Sequence, residues 1–418
     1  MKHLALVLLA VAACGTDSAP ASPDAPPSAE PVYYGQVERI LRDSCVECHA
    51  AAADRIAPFS LASYADARDA AETAPMAFAV MNRTMPPFYA NDDECQPIHA
   101  SKWLADEDLD TLVRWINGSR LEGDPSATVG SGPALEHLTA AEIDRTLDIG
   151  VDYQLDPTQD DDYQCFVVPA LGANAVLTAI EVRPSNPTVA HHVVVYTLAN
   201  AAAEADVVAR DQADPRPGYE CAGAITSDDG GSSFLMGWAP GQAATRFPAG
   251  TGIAIDGARK LVIQMHYNKS HGDGRPDRTK IDLSLASSVQ SQAAVISVKG
   301  NVDLPPREVD ATATGTRTLQ LPGNLTNARI WGAMMHMHHR GTGAEVTVER
   351  TAPACALDLD GWSFHWQHFY WFDGALPVAA NETLRVTCHY DTSNDATNVR
   401  WGEGTDQEMC LAYLYVSQ

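Results

Sequence analysis

The sequence predicts a multidomain fold, a small all-α domain followed by two all-β sandwich domains. Three observations carry that expectation. The chain has 418 residues, more than one ordinary hydrophobic core accommodates. Within residues 32–122, apolar positions repeat at helical spacing on both sides of a Cys-x-x-Cys-His stretch. Farther on, short β-branched runs are separated by Gly, Pro and Asn turns, the pattern of antiparallel sheets rather than βαβ units.

Residues 1–13 read as a signal peptide, in which Lys2 and His3 precede a short apolar run ending Val11-Ala12-Ala13-Cys14. A cysteine directly after small residues resembles a bacterial lipobox. That makes Cys14 the lipidated first residue of an exported bacterial protein, periplasmic or at the cell surface. Ordinary cleavage nearby, with Cys14 incidental, is the alternative. Residues 14–31 are rich in Pro, Ala and Ser and read as a tether. No later apolar run is long enough to cross a bilayer, so the lipid is the expected membrane contact. The formal net charge of −26 argues against nucleic acid as a partner.

In the first domain, residues 32–122, Val37, Ile40 and Leu41 mark a helix over 34–44 that leads into Cys45-Val46-Glu47-Cys48-His49. Two thiols at this spacing form thioethers to the two vinyls of a haem, and the adjacent histidine reaches the iron. Zinc would want a second close ligand pair, and a redox Cys-x-x-Cys would want a βαβ setting; neither is present. Leu109, Leu112, Val113 and Ile116 mark a second helix ended by Gly118. Two helices framing such a motif in about 90 residues resemble a class I cytochrome c, with one covalent haem c on Cys45, Cys48 and His49. Met85, in Thr84-Met85-Pro86-Pro87, is the expected sixth iron ligand, because the prolines hold an extended loop. Met81 is its main rival, with Met76 and His99 also available.

Residues 123–145 read as a Gly/Pro/Ser-rich linker, followed by sandwiches over 146–292 and 293–418 with a break near 291–301. Runs at 175–182, 191–198, 260–267 and 384–389 are strands. The most telling stretch is 331–340, WGAMMHMHHR. On a strand His336 and His338 leave one face together with Met334, while Met335, Met337 and His339 leave the other. Paired imidazoles beside soft sulfurs suit copper. His191 and His192 are adjacent, so they share a metal only at a strand end or bulge. Val262, Gln264 and His266 share a face, which lets His266 serve from a neighbouring strand. Of nine cysteines, six remain after Cys14 and the haem pair, and spacing does not choose among their 15 pairings.

The order HH … QMHY … HMHH … EMC, from about residue 150 to the C-terminus, resembles the copper type II, ascorbate-dependent monooxygenases. Cys165 in Tyr-Gln-Cys and Trp238-Ala239-Pro240-Gly241 add to the likeness. The resemblance implies two jelly-roll sandwiches facing each other across a solvent-filled cleft, with two copper ions. His191, His192 and His266 would hold the electron-transfer copper. His336, His338 and Met409 would hold the copper where oxygen binds and the substrate is attacked; by spacing alone, Met334 remains a rival third ligand. It also implies disulfides Cys165–Cys221 and Cys388–Cys410, leaving Cys95 and Cys355 unassigned.

Departures bear on the substrate pocket. In the family's peptidylglycine enzyme an arginine two residues before His-x-His holds the substrate carboxylate, and Met334 stands there in this chain. The family's Asn after Met-Cys is Leu411, whereas Tyr413 is kept. A neutral or differently anchored small organic substrate is therefore expected. The aromatic residues at 364–366 and 369–372 read as sandwich core. The expected activity is hydroxylation of a C–H bond with O2, its electrons coming from ascorbate or a periplasmic redox carrier and relayed by the fused haem. A non-catalytic copper and haem electron-transfer or copper-handling lipoprotein is the rival.

Overall fold

The computed structural model describes residues 29–51, 57–91, 95–132, 135–156, 158, 160–221, 225–227, 230–269, 274–321, 325–402, 404 and 406–418. The signal peptide, Cys14 and most of the tether lie outside these residues. No described helix is long and apolar enough to cross a membrane.

The N-terminal unit holds α1 (Glu38–Ser44), α2 (Tyr64–Thr73), α3 (Met76–Met81) and α4 (Asp106–Asn117). Regular helix starts later than position 34, because Gly35 takes a φ of 83° and Tyr34 is extended. In α4, Asp106, Glu107 and Asp108 sit in the first turn and Arg114 in the last, each sign matched to its end of the helix dipole. Leu112, Trp115 and Ile116 are buried against Val37, Ile40 and Leu41. The glycine-rich segment that follows is docked rather than free. Glu38 accepts from Thr128 Oγ1 (2.6 Å) and Val129 N (2.9 Å).

The first sandwich comprises β1 (Arg145–Asp148), β2 (Asp161–Val168), β3 (Ala175–Arg183), β4 (Ala190–Leu198), β5 (Tyr219–Glu220), β6 (Ser232–Trp238), β7 (Thr245–Arg246), β8 (Thr251–Ile255), β9 (Leu261–Asn268) and β10 (Lys280–Ala286), with helix α5 (Ala201–Ala213) between β4 and β5. The second comprises β11 (Ser291–Lys299), β12 (Asp303–Leu304), β13 (Ala311–Thr318), β14 (Asn327–His336), β15 (Gly341–Glu349), β16 (Ala354–Leu359), β17 (Tyr370–Ala379), β18 (Thr383–Tyr390), β19 (Val399–Arg400) and β20 (Leu411–Ser417). Outer sheets in the orders β5-β2-β9-β4-β6 and β13-β18-β15-β16 flank the molecule.

The inner sheets are joined, running β1-β10-β3-β8-β11-β20-β14-β17 as one surface. β11 opens the second sandwich where the break was expected, near 291–301, and pairs in parallel with β8 and antiparallel with β20. It pairs with β8 over 291–293 and with β20 over 293–299, so its two ends stitch the halves together. Nor is the space between the halves simply an open cleft. Met334, Phe369 and Tyr415 of the second half share a buried cluster with Met236, Phe247 and Met265 of the first.

Residues 88–91 and 95–99 leave the helical unit and pack on the second sandwich. Tyr89, Ala90 and Ile98 belong to its core. Ala90 bridges Leu359 and Ile98 bridges Phe372. Cys95 and Cys355, the two cysteines without an assignment, form a disulfide across this seam. Cys165–Cys221 and Cys388–Cys410 form as the resemblance implied.

Candidate metal centres

β4 and β9 lie side by side, and the register shifts between Ala190 and His192 so that His191 has no cross-strand partner. This bulge removes the alternation that would send adjacent side chains to opposite faces. The three Nδ1 atoms consequently converge, His191 to His266 at 3.0 Å and each to His192 at 3.3 Å. The outer nitrogen of His266, Nε2, meets Asp161 Oδ1 at 2.9 Å, and Tyr163 stacks on its ring at 4.0 Å. Burial lowers the pKa of all three histidines, that of His191 to about 3. Neutral imidazoles with converging lone pairs are what a metal ion requires. The hydrogen bond from His266 also takes Asp161 down to about 2, so it stays a carboxylate.

The second set lies where β14 runs out beside β20. His336 Nδ1 meets Gln367 Oε1 at 2.6 Å and His338 Nδ1 meets Gln407 O at 3.0 Å. The Gln367 bond leaves His336 Nε2 to serve as a ligand, and His338 is held by the backbone at both Gln407 and Gly404. Their ring centres are 5.3 Å apart, and burial lowers both, His336 to about 4. The β14–β20 register pairs His336 with Leu411 and Met334 with Tyr413, so its continuation sets position 409 opposite position 338. Met409 is buried, its carbonyl accepts from Tyr390 Oη at 2.7 Å, and the next residue is held by the Cys388–Cys410 disulfide.

Glu408 fixes this juxtaposition. Its buried carboxylate accepts from His338 N at 2.7 Å and Arg340 N at 2.8 Å, and burial pushes its pKa up to about 7. Sequence reading passed over it as part of a motif. Met334 and Tyr413 stand opposite each other facing the first sandwich, where Tyr413 stacks on Phe234 at 4.6 Å and Met334 is 8% exposed.

Phe364, expected only as core, stands between the two sets. Its ring centre lies 5.4 Å from His191 and 5.9 Å from His338.

In the helical unit, Cys45 and Cys48 are free thiols. Burial pushes their pKa values up to about 12 and about 11, opposite to what a reactive redox pair needs. His49 is buried and its Nδ1 lies 2.9 Å from Phe59 O. A cavity of about 420 Å³ opens beside Val46, lined in part by Tyr33, Tyr34, Leu61 and Tyr64. Phe78, Met81 and Met85 are all exposed, although each is large and apolar. Met76 is in the core, and His99 is drawn to the second sandwich by Asp373 (2.9 Å), which takes both out of contention as iron ligands.

Residues 148–273 match the model of the copper type II ascorbate-dependent monooxygenase N-terminal domain, and residues 292–417 that of its C-terminal domain. Tyramine beta-hydroxylase of Caenorhabditis briggsae is 24% identical over 247 residues, which are 56% of this chain and 40% of that protein. Dopamine beta-hydroxylase of Rattus norvegicus is 24% identical over 291 residues, 65% of this chain and 46% of that one. The dopamine beta-hydroxylase of Canis lupus familiaris is 27% identical over 195 residues, 43% and 31% of the two chains. The chain thus spans less than half the length of these relatives. Through both halves of its β region, it belongs to the copper type II ascorbate-dependent monooxygenase family.

Proposed function

We propose that the chain hydroxylates a C–H bond of a small organic substrate at a two-copper centre. The observation that carries this is the pairing of a three-histidine cluster with a separate His-x-His and methionine set on the two halves of the molecule. Balanced, R–H, O2, two electrons and two protons give R–OH and water. His191, His192 and His266 would hold one copper; His336, His338 and Met409 would hold the other. Copper at the thioether site would supply oxygen activation, and copper at the all-imidazole site would cycle by single electrons.

The chain's own residues set the conditions for that chemistry. Asp161, Gln367 and the Gln407 carbonyl hold ligand rings through their outer nitrogens, fixing orientation and tautomer. Met334 and Tyr413 would line the substrate pocket. A thioether where the peptidylglycine enzyme has arginine offers no partner for a carboxylate, so the substrate class is neutral at that end.

The helical unit fits a covalent haem c. Its thiols are unpaired, His49 follows them in the motif, and the side chains of Phe78, Met81 and Met85 are exposed although large and apolar. Met85 would be the sixth ligand. Bound haem would supply reversible one-electron transfer from ascorbate or a redox carrier. The Cys95–Cys355 disulfide ties that unit to the second sandwich, which supports a relay role. Three disulfides fit an oxidising compartment, in line with export by residues 1–13, with Cys14 as a lipid anchor at the periplasm or cell surface.

The test is turnover of neutral arylalkyl substrates under 18O2 with ascorbate. One labelled oxygen per product, lost in H338A, is expected. Oxygen consumption without labelled product would turn the reading into a reductase or copper-handling one.

A further inference from the structure

The three Nδ1 atoms of the first histidine cluster form a triangle with sides of 3.0 to 3.3 Å. An ion at its centre would lie about 1.9 Å from each, close to the ~2.0 Å of metal–imidazole bonds. A metal on His191 Nδ1 leaves the proton on Nε2. That nitrogen lies 2.6 Å from Nδ1 of His365, which comes from the opposite sandwich. His191 Nε2–H then donates, His365 Nδ1 accepts, and the proton of His365 sits on its own Nε2.

The same short segment also reaches the other set. Gln367 accepts from His336 through Oε1 at 2.6 Å and donates through Nε2 to the Phe364 carbonyl at 2.8 Å, which closes the turn. Phe364 packs 4.3 Å from His339 and 5.4 Å from His191, centre to centre. Residues 364, 365 and 367 thereby touch both ligand sets, although all three belong to the second sandwich.

We propose that His365 is a positioning residue for the three-histidine copper site, orienting His191 from across the molecule. This rests on the ligand assignment above. Outer partners of metal-bound histidines are worth about 10–100-fold in metal affinity. His365 is exposed, so the lower figure applies.

The test uses full-length H338A, disabled at the second site, with and without H365F or H365N, loaded with copper. Asn carries Oδ1 where imidazole carries Nδ1, so it restores an acceptor. The expected result for H365F is a copper affinity about tenfold weaker and an altered Cu(II) EPR spectrum, with urea unfolding of the metal-free protein unchanged. H365N returns both readouts toward the parent. Parent-like affinity and EPR in H365F would overturn the proposal. A parent that binds no copper would instead overturn the ligand assignment beneath it, and the proposal with it.

Discussion

Removing the Glu408 carboxylate is the most informative single perturbation of the thioether site. Glu408 is fully buried and satisfies two backbone N–H groups, those of His338 and Arg340, at 2.7 and 2.8 Å. The His338 donor is buried and the Arg340 donor part-buried, so E408A strands the first and leaves the second partly hydrated. At roughly 1–3 kcal/mol for a buried unpaired donor and less for the other, the cost is roughly 2–4 kcal/mol. E408Q keeps one acceptor oxygen but turns an amide N–H2 toward the other donor, so about half that loss is expected. Because the carboxylate also sets the backbone at 338 against the chain leading into Met409, copper should fall from two per chain to one. Urea unfolding of metal-free protein and copper analysis of loaded protein check the two effects separately. An E408A protein within about 1 kcal/mol of wild type that retains both coppers would show that Glu408 does not organise the site.

Further outcomes follow from other contacts. Replacing Cys95 and Cys355 with serine opens a link between residues 260 positions apart, and roughly 2–5 kcal/mol of stability should be lost, measured by denaturation without reductant against disulfide-intact wild type. Equal stability would mean that noncovalent packing of Tyr89, Ala90 and Ile98 suffices. M334R sets an unpaired guanidinium in a position 8% exposed among Phe369 and Tyr415, costing roughly 3–5 kcal/mol. An M334R protein of wild-type stability would overturn the reading of position 334 as a packed floor of the substrate pocket. Copper at a hundred times its dissociation constant should stabilise the protein by about 2.7 kcal/mol for each site filled, read as a chelator-reversible rise in Tm. C48A should slow turnover with a physiological donor and spare turnover driven by excess ascorbate; unchanged turnover with that donor removes the relay.

Local chemistry was legible in the sequence, and long-range closure was not. His-x-His announces its shared face through strand periodicity, and His191-His192 states the condition for a shared metal, a bulge, that β4 meets. Helix α4 follows from the spacing of Leu109, Leu112, Val113 and Ile116 and its acidic first turn. The Cys95–Cys355 pair joins segments with no common periodicity, so only the bridges of Ala90 and Ile98 to the second sandwich reveal it. β11 resembled a boundary because its partners, β8 and β20, lie on different halves. Phe364 and His365 read as core or surface because their role depends on rings contributed by the other sandwich. Asp161 and Glu408 are acidic residues of ordinary appearance until their partners, a ligand nitrogen and two ligand-loop amides, are in place.

Copper analysis with EPR on the wild type, on H191A/H192A and on H336A/H338A tests the two-centre claim most directly. Two coppers per wild-type chain, falling to one in each double variant with distinct remaining spectra, is the predicted result. Zinc in place of copper, copper near zero, or two coppers retained in either variant would contradict it.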